Sequence, residues 1–219
     1  MSAGALVTPG KTIIDASTSE AETSRALASR LAPLGRGFLD APVSGGPTGA
    51  AAGTLAMMVG GDADVVARAR PVLEAIAAKI IHVDPSGAGN VAKLVNNMLV
   101  ACHMITTKEA LKLAIASGVS AEDALRVVNT ATGRSALSEV HFHTWVLTGS
   151  FDSGFSTGLM RKDVRLALEM AGEGLEMPLS RLAAELWAEE NSGFADDDDF
   201  IVMGDPARGA REEKEKVYA

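Results

Sequence analysis

The chain has 219 residues, 20 Lys plus Arg against 28 Asp plus Glu, and a formal net charge of −8. That length can bury a sizeable core without disulfides or metals, and the acidic balance argues against a general nucleic-acid binder, which needs a basic footprint on phosphates. A single cysteine, Cys102, excludes a disulfide scaffold, and aromatics at 4% offer little for base stacking. The longest uncharged run of the apolar middle, residues 94–107, is broken by Asn96, Asn97 and His103 and falls short of the roughly 20 residues of a membrane span. Residues 1–10 have neither the basic start nor the apolar stretch of a secretory signal. A cytoplasmic protein with no membrane and no nucleic-acid partner is expected.

The first part of the chain alternates strand and helix. Residues 12–16 (T-I-I-D-A) form a short β-rich run after the turn pair Pro9-Gly10. Ser19 and Glu22 have the spacing of a capping box for a helix reaching Leu34, which Gly35 and Gly37 end. Residues 38–43, 54–59 and 80–83 read as further strands, and residues 62–78 as a helix that Pro71 should kink. Strands separated by such helices imply parallel βαβ units in an open sheet.

From residue 89 the pattern changes. Asn90 is a suitable N-cap, and no Pro or Gly interrupts the helical pattern of residues 91–117 before Gly118 stops it. Ser120 with Asp123 opens another helix, and residues 135–147, 158–171 and 178–191 read as helices too. The acidic run 196–199 and the charged tail 208–216 are expected to be solvated. The fold class is therefore a partial α/β sheet followed by an all-α domain joined by a long helix. The divide falls between residues 1–88 and 89–219.

Gly87-Ala88-Gly89-Asn90-Val91-Ala92 matches the dinucleotide fingerprint G-x-G-x-x-A. Asp84-Pro85-Ser86 separates it from the strand, however, and no strand follows the helix for an acidic residue to end. Glycines that turn the chain into a helix are the better reading. Ser44-Gly45-Gly46 lies at the carboxyl end of a strand, where open sheets bind ligands and consecutive backbone N–H groups can cradle an anion. A plain turn explains that segment equally well. Lys93 and Asn97 sit one turn apart on one face of the long helix among Val91, Leu94, Val95, Met98 and Leu99. Desolvation disfavours a charged amine and suits it to proton transfer, although a snorkelling lysine beside a surface asparagine has the same pattern.

Four blocks in order resemble the β-hydroxyacid dehydrogenase family, which includes 3-hydroxyisobutyrate dehydrogenase and tartronate semialdehyde reductase. They are Pro9-Gly10-Lys11-Thr12 through Asp15-Ala16-Ser17-Thr18; Asp40 to Gly46 with Gly53-Thr54-Leu55 and Met58-Val59-Gly60-Gly61; Gly87-Ala88-Gly89 through Lys93 to Asn97; and Gly154-Phe155 to Lys162-Asp163. The resemblance implies a Rossmann-type domain, a long connecting helix and a helical domain that supports dimers or tetramers. It implies NAD or NADP as cofactor, with Ser17, Thr18 and Lys162 on the cofactor side. Ser44, Gly45, Gly46 and Asn97 would then bind a small carboxylate substrate, and Lys93 would be the catalytic acid/base. The family's opening G-x-G-x-x-G is absent, so residues 1–88 correspond to the later part of the cofactor domain. An inactive oligomerisation or regulatory fragment is the rival expectation, and an imine reductase on the same scaffold is a second. No metal site is expected, because His141 and His143 lie on different helix faces with no third ligand at metal-like spacing.

Overall fold

The computed structural model describes residues 10–208. They divide into two compact units that meet within one helix, at Asn96 and Asn97.

The first unit runs β1 (Thr12–Asp15), α1 (Ala21–Leu31), β2 (Gly37–Asp40), β3 (Val43–Ser44), α2 (Gly46–Ala51), β4 (Ala56–Gly60), α3 (Ala63–Ile76) and β5 (Lys79–Val83), then enters α4 (Ala88–Ala116). β1 and β2 pair in parallel, as do β4 and β5, but β4 is antiparallel to both β2 and β3. The sheet is thus mixed, not parallel throughout as expected. The reason is length. Only the six-residue α2 lies between β3 and β4, whereas a parallel return needs a crossover of a dozen or more residues.

Several local expectations shift in the same way. α1 begins after Glu20 with no side-chain cap, so Ser19 and Glu22 do not form the capping box. The strand expected over residues 38–43 breaks at Ala41-Pro42 into β2 and β3. α3 runs through Pro71 and is capped instead by Asp62, whose carboxylate accepts from the N–H groups of Asp64 and Val65. Its buried face of Val65, Val66, Ala69 and Leu73 packs with Leu39, Met57 and Val59 of the sheet. At about 25 cal/mol per Å² of apolar surface removed from water, such burial is the main favourable term.

The start of α4 is fixed from outside the helix. Asp40, fully buried at the end of β2, accepts from the N–H of Gly87 at 2.7 Å and from that of Asn90 at 2.9 Å. Asn90, expected to be the N-cap, is instead within the first turn, because the helix begins at Ala88. The glycines explain the approach. A Cβ on Gly89 would lie 2.5 Å from the Asp40 carbonyl, 2.6 Å from that of Met58 and 2.8 Å from the Gly60 nitrogen. Gly87 and Gly89 are packing glycines, a role beyond the turn into the helix that the sequence reading preferred.

The second unit continues α4 and adds α5 (Ala121–Thr130), a π-helix (Leu137–Val146), α6 (Thr157–Ala171), α7 (Pro178–Trp187), α8 (Glu189–Ser192) and a 3-10 segment (Phe200–Gly204). Ser120 caps α5 as its spacing predicts. The helix expected over residues 135–147 is wider than an α-helix, with Leu147 N–H reaching back five residues to Phe142; apolar periodicity does not separate the two forms. The helix expected over 178–191 divides at Ala188. There Arg161 Nε donates to the Trp187 carbonyl at 2.6 Å, an acceptor that a continuing helix would need.

The acidic run is not simply solvated. Asp196 binds Arg161, and Asp199 accepts from Ser153 Oγ, Gly154 N–H and Ile201 N–H, so it caps the buried 3-10 segment. The charged tail lies outside the described residues beyond Arg208.

Two expected outcomes follow from these contacts. Gly89→Ala forces a Cβ into backbone, and Asp40→Ala strands two buried N–H groups. Each should lower unfolding free energy by about 2–4 kcal/mol in urea titrations, and a variant as stable as the parent would contradict the packing role.

Burial holds His141 below the ordinary histidine value of 6.5, partly offset by the Ala136 backbone carbonyl and the Asp199 carboxylate. The folded state therefore favours the neutral ring. Its contribution is complete above the unfolded value and is lost as pH falls through 6.5 toward the depressed folded value. His141→Gln should flatten that part of the stability-versus-pH curve, measured by denaturant midpoints, and an unchanged slope would contradict it.

Candidate functional site

In the first unit the loop after β1 carries Ser17 and Thr18, at the carboxyl end of the strand. Asp15 Oδ1 accepts the Ser17 N–H at 2.9 Å, which turns the chain sharply away from the sheet. Asn90 secures the far side of the loop. Its Oδ1 accepts the Ser19 N–H at 3.0 Å, and its Nδ2 donates to Ser24 Oγ at 3.0 Å. Ser19, expected to cap α1, is used here instead. The candidate cofactor loop is therefore tied to the same helix turn that Asp40 caps.

Ser44 ends β3, and Gly45 and Gly46 turn the chain into α2. Both glycines have positive φ, +127° and +59°, a region that side chains with a Cβ rarely adopt. Ser44 is half-buried, whereas Gly45 and Gly46 are exposed, so their backbone faces solvent. A carboxylate can approach such a turn without meeting a side chain.

Lys93 follows Asn90 by three residues on α4 and is only 7% exposed. Asn97 comes four residues later on the same helix and is 4% exposed. In the second unit, Asn97 Nδ2 donates to Asp163 Oδ2 at 2.6 Å, and Lys162 Nζ lies 3.0 Å from Asp163 Oδ1. Asp163 is 2% exposed. α6 presents this pair because Ser156 caps its start, accepting from Leu159 N–H. Arg161, next along the helix, binds Trp187, Ser192, Phe194 and Asp196 and so holds the loop after α7. Sequence reasoning gave Asp40, Asn90, Arg161 and Asp163 no such roles; each binds a residue far away in the chain.

The residues can be tested against a nicotinamide dinucleotide. In the first unit, the hydroxyls of Ser17 and Thr18 suit the amide and ribose hydroxyls of such a cofactor. Gly87 and Gly89 do not suit the pyrophosphate, because they are packed against Ala21, Asp40, Met58 and Gly60. Among the described residues no cluster of three or more His, Cys, Asp or Glu could hold a metal, and no helix is long and apolar enough to cross a membrane. Cys102 is half-buried in α4, and burial raises its thiol above the usual value, with a Ser180 hydrogen bond as a smaller opposing effect.

Comparison with known proteins adds to this geometry. Residues 87–204 match the model for the NAD-binding region of NADP-dependent 3-hydroxyisobutyrate dehydrogenase, and residues 2–84 match the NAD-binding domain of 6-phosphogluconate dehydrogenase. The chain is 37% identical over 214 residues to an NAD-dependent L-serine dehydrogenase of Pseudomonas aeruginosa, covering 93% of this chain and 72% of that one. It is 37% identical over 179 residues to a 2-(hydroxymethyl)glutarate dehydrogenase of Eubacterium barkeri, covering 81% of this chain and 60% of that one. A solved 3-hydroxyisobutyrate dehydrogenase from Mycobacterium tuberculosis, with L-serine, superposes with a TM-score of 0.82 at 40% identity, covering 91% of this chain and 70% of that one. The chain thus spans roughly two thirds of the length of its relatives. With both family models matched and the fold shared, the chain belongs to the NAD(P)-dependent β-hydroxyacid dehydrogenase family.

Proposed function

We propose that the chain serves an NAD(P)-dependent oxidation of a small 3-hydroxy carboxylate, with Lys93 as the acid/base. The observation that carries this reading is the burial of Lys93, at 7% exposure, in the helix turn that the family shares. An amine withdrawn from water exchanges protons with a bound hydroxyl rather than with solvent. The relatives named above support the substrate class, because 3-hydroxyisobutyrate, L-serine and 2-(hydroxymethyl)glutarate are all carboxylates with a hydroxyl on the β-carbon.

On this reading, Ser44 and the backbone N–H groups of Gly45 and Gly46 receive the substrate carboxylate. Asn97 hydrogen-bonds the substrate, and Lys93 Nζ removes the proton of its hydroxyl as the carbonyl forms. Bound NAD or NADP would accept the hydride that leaves the same carbon, with Ser17, Thr18 and Lys162 on the cofactor side. In the reverse direction Lys93 returns the proton. Residues 1–88 then form part of the cofactor domain, which also presents Ser44, Gly45 and Gly46 to the substrate, and residues 89–219 form the helical substrate and dimerisation domain.

Lys93→Met should lower kcat by about 10²–10⁴ in a steady-state assay with 3-hydroxyisobutyrate and either cofactor. Ser44→Ala should instead raise KM for the acid with little change in kcat. A Lys93→Met variant with parental kcat would remove the lysine from the chemistry.

Self-association belongs to the same reading. Leu99, Leu113 and Leu179 are 53%, 71% and 78% exposed, and a second copy of the chain would cover such side chains. Sedimentation should give a dimer or tetramer, and a monomer at micromolar concentration would contradict it.

A further inference from the structure

Resting on that reading of Asn97 and Lys162, we infer that Asp163 is a positioning residue, one carboxylate oxygen orienting the Asn97 amide and the other holding the Lys162 ammonium. Asp163 Oδ2 takes the Asn97 Nδ2 at 2.6 Å, and Asp163 Oδ1 lies 3.0 Å from Lys162 Nζ. One buried side chain thus binds a residue on the substrate side and a residue on the cofactor side. Asn97 and Asp163 are separated by 66 residues in the chain, so only the packing of α4 with α6 brings them together.

The chemistry of the pair fixes an orientation. A carboxylate accepts hydrogen bonds and does not donate them, so the amide nitrogen of Asn97, not its oxygen, must face Asp163. The two ends of an asparagine amide have nearly the same shape, and without such a partner either could point either way. With Nδ2 on Asp163, Oδ1 is directed from the other corner of the amide plane as an acceptor. Before oxidation a substrate hydroxyl can donate to that corner, and its single proton passes to Lys93 only as the carbonyl forms. Exposures of 4% for Asn97 and 2% for Asp163 keep water from competing, which makes a charge-assisted hydrogen bond stronger and its geometry stiffer.

The second oxygen acts on Lys162. A lysine side chain has many rotamers, and pairing with a buried neighbour selects among them before any ligand arrives. Asp163 itself need touch neither substrate nor cofactor. Its effect is to hold ready two groups that would otherwise have to be ordered on binding.

The test uses the full chain labelled with 15N, with the Asn97 side-chain amide peaks assigned by their disappearance in Asn97→Ala. These peaks should be protected from exchange at least tenfold relative to exposed asparagines, and Asp163→Ala should abolish the protection. Binding of 3-hydroxyisobutyrate, measured by calorimetry, should weaken about tenfold in Asn97→Ala and in Asp163→Ala. The double variant should be no worse than either alone, because both changes remove one interaction. A purely structural aspartate would give additive losses or none.

Should Asp163→Ala fail to fold, the isosteric Asp163→Asn carries the test. It should shift the Asn97 peaks and weaken binding at least threefold. Unchanged peaks and affinity in Asp163→Asn overturn the inference, as does weakened binding in Asn97→Ala without any loss in Asp163→Ala. Failure of the parent chain to bind the acid, or unchanged binding in Asn97→Ala, overturns instead the assignment of Asn97 to the substrate.

Discussion

The first unit depends on one buried carboxylate. Asp40 sits at the end of β2 with no exposed surface and binds two backbone N–H groups at the start of α4. The first N–H groups of a helix have no partner within it, and their aligned dipoles favour a negative charge. An aspartate on the strand meets both needs at once, as Asp62 does locally for α3. Because the partner belongs to the sheet, the long helix is placed by the sheet and not by its own sequence.

The consequences extend outward from that contact. Gly60 and Gly89 must lack side chains, since a Cβ on either would fall within 3 Å of the other's backbone nitrogen or of Asp40. Asn90, brought in with its N–H on Asp40, spends its side chain on Ser19 and Ser24. That fixes the loop carrying Ser17 and Thr18. One turn further along α4 stands Lys93, which is buried as well. The loop and the glycine pair are thus consequences of a single arrangement.

The second unit follows the same logic with different partners. Arg161 gathers the chain after α7, Asp199 caps the final buried segment, and Trp187 Nε1 donates to the Ala101 carbonyl of α4 at 3.2 Å. Trp187 ties the end of α7 to the middle of α4, and Arg161 and Asp199 satisfy backbone groups left over by an irregular end or break. Such groups are costly to bury unpaired. An irregular stretch can therefore be packed only where a side chain from elsewhere meets it. Asp199, a charged residue that a linear reading assigns to solvent, is recruited for this purpose, and Asp196 pairs with Arg161.

The sequence by itself determined the periodic features. Apolar spacing and the lack of Pro or Gly specify a helix close to Ala88–Ala116, the Ser120 spacing marks the local cap of α5, and the four blocks around Ser17, Gly45, Lys93 and Lys162 mark the family. These depend on neighbours within one or two helical turns, which a sequence displays directly. Tertiary structure decided the rest. The antiparallel turn of β4, the true cap of α4, the break at Ala188 and the Asn97–Asp163 contact all join residues remote in the chain. An aspartate or asparagine has the same local signature whether it faces water or a buried N–H. What it binds is settled only when hydrophobic packing of the elements brings a particular partner within reach.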